Sequence, residues 1–339
     1  MQSIIRHWFQ MEILNLLLMG TPVWTWAIFL SLVLTLLILD LGVINKDTNA
    51  MTISKSFKMS AFYFAIGLGF AGFVWYNFGQ ENAILYLTGF IIEKSLAIDN
   101  VFVIAMIFSY FAIPSNLQHR VLFWGILGVI VLRAIMIVCG AAIVEQYSWV
   151  LYVFAAFLVF TGVKMLSPSA SSHNLEDSKL LGFVTKHLPI SEKLDGEKFF
   201  TRIVGGDGTL KSVATPLFAA LVMVEIADLI FAIDSIPAIF AITTDPFLVF
   251  TSNIFAILGL RALYFALAAM IDRFKYLKIA LAVLLIFIGS KIFVADWLGL
   301  AKFPPMVSLS VTFGILGAGI FYSLYKTRKI DNHKPEANM

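Results

Sequence analysis

Long apolar runs separated by short polar breaks dominate this chain from Thr21 to Tyr325. Each run has about twenty residues, which is enough for a helix to cross roughly 30 Å of hydrocarbon. The pattern predicts an all-α membrane protein with about nine transmembrane helices. The predicted spans are residues 22–44, 59–79, 83–111, 121–143, 148–166, 213–241, 248–270, 277–296 and 306–325.

Composition agrees with this pattern and excludes several classes of protein. Of the 339 residues, 60% are hydrophobic and 13% are charged, whereas a soluble domain carries about twice that share of charge. The net charge of +3 is small and scattered, so no basic stripe for nucleic acid is present. The one cysteine, Cys139, excludes intramolecular disulfides and CxxC redox chemistry. Membrane lipid is therefore the expected surrounding of the chain.

The polar segments divide the chain and predict its orientation. Residues 1–20 lack a cleavage site and are expected to form a periplasmic segment. The long interval 167–212 predicts a cytoplasmic loop with a hairpin around Phe199 to Leu210. Lysine and arginine concentrate on one face of a nine-span arrangement, which places the N-terminus outside and the C-terminus in the cytoplasm of a bacterial inner membrane. The predicted parts are 1–20, the first two helices in 21–82, repeat 1 in 83–166, the loop 167–212, repeat 2 in 213–296, the last helix in 305–325 and the tail 326–339.

An internal repeat organises the central spans. Ala-Ile-Asp-Asn at 97–100 is echoed by Ala-Ile-Asp-Ser at 232–235, and each Asp follows another acid by six residues. Leu-Arg-Ala recurs at 132–134 and 260–262, and a Phe-x-Gly-x-Lys pattern recurs at 160–164 and 287–291. Three successive spans match the next three. Because three is odd, the second copy enters the membrane from the opposite side, which predicts an inverted 3+3 helix repeat typical of transporters.

Acidic side chains lie inside these apolar spans. A lone carboxylate near the bilayer centre costs roughly 2.5 to 3.5 kcal/mol, so several of them cannot face lipid. They are expected to line an ion-filled cavity or to pair with bases. The predicted metal ligands are Glu93, Asp99, Glu225, Asp228 and Asp234. Residues expected around this site or along the path to it are Asp40, Lys94, Asn100, Ser235, Arg133 and Arg261.

Helical spacing limits how these carboxylates can meet. Glu225 and Asp228 share one face, whereas Asp228 and Asp234 lie about 120° apart around an unbroken helix. Convergence on one ion is easier if the helix unwinds near Asp234, and Pro237 supplies a reason because it lacks the N–H that the carbonyl of Ile233 would accept. We therefore expect a break close to Asp234.

The ligand chemistry favours a hard divalent cation. The candidate ligands are carboxylates with amide and hydroxyl oxygens, and no histidine falls inside a predicted span. Oxygen ligands favour Mg²⁺, Ca²⁺ or Mn²⁺ over Zn²⁺ or Cu⁺. Mutually close carboxylates also exchange protons as a group, which suggests that the ion is exchanged for protons. Arg133 and Arg261 are interpreted as counter-ions that hold the acidic helices together.

Two long motifs resemble the TerC family of bacterial integral membrane proteins, close to its Alx-like branch. They are Glu-Lys-Ser-Leu-Ala-Ile-Asp-Asn at 93–100 and Val-Glu-Ile-Ala-Asp-Leu-Ile-Phe-Ala-Ile-Asp-Ser-Ile-Pro-Ala at 224–238. The resemblance covers the chain from about Asp40 through the last span. It implies Mn²⁺ as the transported substrate, export as the direction, and no organic cofactor, and it places the family's acidic groups on the five predicted ligands.

Two other functions remain open from the sequence. An intramembrane aspartyl protease would use Asp99 and Asp234 as a dyad that shares a proton. The three additional acids and the lack of a Gly-x-Gly-Asp segment in a span argue against an enzyme. A structural or sensing subunit of a tellurite-resistance membrane complex would use the acids only to pair helices. The favoured function is a secondary transporter for Mn²⁺.

Overall fold

The computed structural model describes residues 16–42, 53–166, 186, 188–191, 193–204, 209–267, 277–300 and 303–331. Within this part the chain is almost entirely helical, with two small hairpins. The helices are α1 (Val23–Gly42), α2 (Ile53–Tyr110), α3 (Ser115–Gln146), α4 (Val150–Leu166), α5 (Pro216–Phe240), α6 (Pro246–Leu258), α7 (Leu260–Leu267), α8 (Leu277–Trp297) and α9 (Pro305–Asp331). The strands are β1 (Leu17–Leu18), β2 (Thr21–Pro22), β3 (Phe200–Val204) and β4 (Leu210–Ala214).

The apolar helices confirm a multi-pass membrane protein. Four helices in the described ranges, α3, α5, α8 and α9, are long and apolar enough to cross a membrane, and α6 with α7 makes a fifth if the bent pair is one span. Two further apolar helices, α1 and α4, are shorter. Every predicted span falls on a helical segment, with two of them in α2. A full set of nine crossings remains a prediction.

The 58-residue helix α2 is divided at Gly79. This residue has φ 87° and ψ 173°, a conformation that glycine adopts without the steric cost of a Cβ. The two halves fold back on each other, and the hydroxyl of Tyr86 in the second half donates to the carbonyl of Gly67 in the first at 3.0 Å. The break agrees with the predicted boundary between the second and third spans.

The polar interval contains the predicted hairpin, shifted slightly toward its C-terminal end. Strands β3 and β4 pair antiparallel from Phe200 with Ala214 to Val204 with Leu210. The Gly-Gly-Asp-Gly stretch at 205–208 lies outside the described residues. Before the hairpin, hydrogen bonds from Lys198 and Thr201 hold the pKa of the Asp195 carboxyl below its ordinary value.

Helices α4 and α8 pack antiparallel at matched glycines of the predicted repeat. A Cβ on Gly162 would lie 2.7 Å from the carbonyl oxygen of Ala282, and one on Gly289 would lie 2.5 Å from that of Ala155. The contacts are reciprocal, because Ala155 precedes Gly162 by the same seven residues that separate Ala282 from Gly289. The two backbones can approach this closely only where no side chain intervenes.

Helix α5 corrects one sequence prediction. It runs unbroken from Pro216 to Phe240 and contains Pro237, so the expected unwinding near Asp234 is wrong. Pro237 lies in the last turn, where the helix ends three residues later, and its own carbonyl accepts from the N–H of Ala241 at 2.9 Å. The loss of one helical hydrogen bond next to the terminus does not break the helix.

The helix is interrupted instead at Gly259, inside the single span predicted over 248–270. Helices α6 and α7 are bent by 41° there. The start of α6 is capped by Asp245, whose carboxylate accepts from the backbone N–H groups of Phe247 and Leu248. These two helices contact α2 and α3, and this packing brings polar side chains from four helices together.

Candidate functional site

Arg133 of α3 is the centre of a buried charge cluster. Only 1% of its surface is exposed. Its guanidinium binds Asp228 with two nitrogens, Nε to Oδ2 at 3.1 Å and Nη2 to Oδ1 at 3.0 Å. Its Nη1 contacts Glu93, and also Ser235 Oγ at 3.2 Å and Asn253 Oδ1 at 3.0 Å. The two ion pairs are the counter-ion contacts predicted for this arginine.

Helical spacing explains how α2 and α5 present these partners. Glu93 and Asn100 are seven residues apart on α2, and Asp228 and Ser235 are seven apart on α5, so each pair lies on one helix face two turns apart. Asn100 donates to Asp228 Oδ1 at 3.1 Å, whereas Ser235 and Glu93 meet at the same nitrogen, Nη1 of Arg133. The two motif helices therefore both contribute polar groups to the cluster.

Some polar atoms of this cluster have no partner. Glu93 Oε2 and Asn253 Nδ2 are buried without a hydrogen bond, although the other polar atom of each side chain contacts Arg133. Oε2 of Glu225, three residues before Asp228, is also buried and unpaired. The Glu225 carboxylate lies against Gly128 of α3, where a Cβ would collide with it. Unpaired buried carboxylate oxygens are costly and call for a missing proton, water or cation.

Asp234 faces another part of the molecule. Its Oδ1 accepts from the Thr161 hydroxyl of α4 at 3.3 Å, and Lys164 contributes a favourable charge there. Because α5 is unbroken, the six residues between Asp228 and Asp234 turn the two carboxylates about 120° apart. Asp234 and Arg133 share no hydrogen bond or ion pair.

The complete predicted ligand set is only partly visible. The side chains of Asp40 and Asp99 lie outside the described residues. Among the residues that the structure describes, no three His, Cys, Asp or Glu side chains are gathered closely enough to hold a metal ion. The convergence of five carboxylates on one ion therefore stays a prediction, and it requires a rearrangement of the described side chains.

Lys94 bonds to a backbone carbonyl rather than to an acid. Its ammonium group donates to the carbonyl oxygen of Ala256 at 3.0 Å, beside the bend at Gly259. A Cβ on Gly259 would lie 2.7 Å from this nitrogen. Arg261, at the start of α7, is buried. The contacts of Lys94 and Asn253 were not predicted; the polar Ser252-Asn253 pair inside an apolar run was the available signal.

A cleft leads to the acidic cluster from between α2, α3 and α5. Asn100 and Asp228 are among its lining residues, together with Gly125, Val224 and Phe231. The remaining lining is mainly aliphatic, so Asn100 and Asp228 supply the polar groups of this pocket.

These features define a multi-pass helical membrane protein with ionisable side chains buried in its core. The chain matches the integral membrane protein TerC family over residues 78–331 and belongs to that family. It is 47% identical over 306 residues to a putative membrane-bound redox modulator, Alx, of Escherichia coli K12, covering 88% of this chain and 92% of that protein.

Two relatives that are named only as uncharacterised membrane proteins are equally similar. One from Myxococcus xanthus is 46% identical over 303 residues, covering 89% of this chain and 92% of the relative. One from Rickettsia bellii is 46% identical over 308 residues, covering 91% and 99%. No solved structure is similar to the chain.

Proposed function

We propose that the protein is a secondary transporter that exports Mn²⁺ through the cluster around Glu93 and Asp228. The observation that carries this proposal is the burial of carboxylates within the helices, with unpaired oxygens on Glu93 and Glu225. Intramembrane acids are costly and are typical of ion pathways. The membership of the TerC family agrees with a transporter. The cargo meets Asp228 through the cleft and is held by the five predicted acids in another arrangement of the helices.

The inverted repeat is part of this proposal. The reciprocal contacts of the matched glycines of α4 and α8 support it, since Gly162 lies against Ala282 and Gly289 against Ala155. Reciprocal contacts between corresponding residues are the signature of a two-fold relation. Rocking of one three-helix unit against the other would then expose the carboxylates to each side of the membrane in turn.

Proton entry is the proposed driving force for export. When the cation leaves, a carboxylate that Arg133 does not contact, such as Glu225, needs another positive charge, and a proton is the smallest one available. Mn²⁺ should leave liposomes that contain the protein faster when a proton gradient directed into the liposomes is imposed. A Mn²⁺ flux that ignores the gradient would remove the coupling, while leaving transport itself intact.

We also propose an inner-membrane orientation with the N-terminus outside and the C-terminus in the cytoplasm. The basic tail with Lys326, Arg328 and Lys329 supports this orientation, because cytoplasmic segments are enriched in Lys and Arg. A reporter that is active only in the cytoplasm should be active when fused after Met339 and inactive when inserted beside Gly79. The reversed pattern would contradict the orientation.

Cellular manganese content provides the main test of the function. Cells that express the protein should hold less manganese under manganese load than cells without it, and this difference should be lost on substituting each acid by its amide: Glu93→Gln, Asp99→Asn, Glu225→Gln, Asp228→Asn and Asp234→Asn. Glu197→Gln is the matched control, since this exposed acid lies outside the cluster in a solvated ion pair with Arg120.

The purified protein separates a binding defect from a folding defect. Mn²⁺ should raise the thermal stability of the native protein, because a ligand that binds only the folded state stabilises it. Asp228→Asn should fold and lose most of this stabilisation. If none of the five substitutions changes the cellular manganese content or the stabilisation of the purified protein by Mn²⁺, the proposed function is refuted. A role in which the acids only pair helices would then be favoured.

A further inference from the structure

Arg133 occupies the very carboxylates that the proposed cargo needs. We propose that Arg133 is a tethered cation that replaces the metal ion at Glu93 and Asp228 between transport events, and that metal binding requires the guanidinium to leave Asp228. This inference rests on the proposed function and assigns the arginine a role in the transport cycle. It goes beyond a structural counter-ion, which would stay in place throughout.

The hydrogen bonds of Asp228 explain why the two cations compete. Its Oδ1 accepts from both Arg133 and Asn100, and its Oδ2 accepts from Arg133. A carboxylate oxygen has two lone pairs, so Oδ1 has none left for an ion. A metal ion could use both oxygens of Asp228 only after the bidentate contact with Arg133 opens.

Burial explains why the empty carrier needs a cation here. Glu93 is 1% exposed and Asp228 is 5% exposed, and each would be an uncompensated charge without Arg133. Removing one partner of a buried ion pair is strongly destabilising, because the remaining charge is left uncompensated. A carrier that released its metal and kept both carboxylates ionised would face this cost while its helices rearranged. The guanidinium removes the cost because it travels with the protein.

Some buried polar atoms around Arg133 are left without a partner in this arrangement. Nη1 has two hydrogens but faces three acceptors, on Glu93, Ser235 and Asn253. At the same time Glu93 Oε2 and Asn253 Nδ2 have no partner. A site that held only Arg133 would be expected to satisfy every buried polar atom. The free carboxylate oxygen of Glu93 is instead available for a second cation.

Arg133→Gln in the full-length protein tests the inference, because glutamine keeps hydrogen bonding and removes the charge. If the arginine-bound form makes up 90% or more of the empty protein, its removal should tighten Mn²⁺ binding by about ten-fold or more. In proteoliposomes the variant should still exchange Mn²⁺ for Mn²⁺, because that cycle does not require the empty carrier to rearrange across the membrane. Net efflux into Mn²⁺-free buffer should fall by about ten-fold or more.

Two further variants make the experiment decisive. Arg133→Lys keeps the charge and loses the two-pronged contact, so its Mn²⁺ affinity should lie between those of the native protein and Arg133→Gln. Arg120→Gln removes a half-buried arginine that pairs with Glu197, outside the cluster, and should change neither affinity nor flux. If Arg133→Gln does not fold, the lysine variant alone decides, and an affinity equal to the native one overturns the inference.

The possible failures are distinguishable. Native protein that neither binds nor moves Mn²⁺ refutes the proposed function. Native protein that transports Mn²⁺, with folded arginine variants that bind it no more tightly or that lose exchange and net efflux equally, refutes only the tethered cation. Tighter binding with exchange kept and net efflux lost supports both.

Discussion

Gly128 controls the space available to the Glu225 carboxylate. The closest atoms to a Cβ at this position belong to that carboxylate, so Gly128→Ala must displace it. We expect Mn²⁺ export to fall by about two-fold or more with little loss of stability, because the end of the Glu225 side chain can move aside. Export from cells and thermal unfolding of the purified variant provide the measurements.

The control for this substitution is Gly72→Ala on α2, where a Cβ would meet no atom within 4 Å. It carries the same gain in helix propensity, about 0.5–1 kcal/mol, without the collision. Equal export by the two alanine variants would show that the position of Glu225 does not matter for transport.

At the residue scale, the sequence predicted which charged residues form the cluster better than it predicted which side chains they contact. Buried acids and arginines in apolar runs pointed to Glu93, Asp228 and Arg133, because the cost of burying a charge requires a partner. Asn253 escaped prediction since its contact depends on how α6 packs against α3, which no local spacing encodes. Asp234 was placed with Asp228 only by assuming a helix break that does not occur.

The cap of α6 gives a prediction at the scale of one element. Asp245 satisfies two N–H groups at the start of a helix that contributes Asn253 to the cluster. Asp245→Ala should lower the free energy of unfolding by about 1 kcal/mol, because these donors lose their acceptor. Asp245→Asn should retain most of the stability, and denaturant unfolding compares the two. An asparagine variant as unstable as the alanine variant would contradict the capping role.

The glycine contact between α4 and α8 gives a second prediction at this scale. In Gly289→Ala the new methyl would press on the backbone carbonyl of Ala155, which cannot turn aside as a side chain can. We expect a loss of about 1–3 kcal/mol in thermal unfolding, and a similar loss for Gly162→Ala. Gly314→Ala on α9 is the control because it faces open space. Unequal effects at positions 162 and 289 would weaken the proposed repeat.

Helix bounds could be predicted where composition changes sharply and not where packing decides. Polar residues mark most of the ends, and Gly79 falls at a predicted boundary. At Pro237 the local rule predicted a break, but the helix was about to end and tolerated the missing donor. At Gly259 the chain bends although its neighbours are apolar, and Lys94 of α2 donates to the carbonyl of Ala256 close to this bend. Such a distant contact leaves no local signal.

At the scale of the whole molecule, one end of the α4–α8 pair carries two exposed tryptophans. Tyr152 and Phe293 lie 6.0 Å apart between the antiparallel helices α4 and α8, which puts Trp149 and Trp297 at the same end of that pair. Both tryptophans are largely exposed. Exposed Trp is enriched at membrane–water interfaces, so this end should lie at the level of the lipid headgroups.

Brominated lipids can measure that depth. In variants that keep only Trp149 or only Trp297, fluorescence should be quenched most by bromine near the headgroups and least by bromine at the end of the acyl chain. The two variants should have the same depth profile. Quenching of either tryptophan mainly from the bilayer centre would contradict the placement of this end at the interface.

The hydrogen bond of Lys94 links two parts of the chain that are far apart in sequence. The carbonyl of Ala256, close to the bend between α6 and α7, accepts a hydrogen bond from an ammonium group 162 positions earlier in the chain. A substitution at position 94 would therefore remove a contact beside this bend without altering any residue of the two helices. Two homologues with identical residues at 246–267 could therefore differ in the contacts of this segment, and the cause would be the residue at position 94.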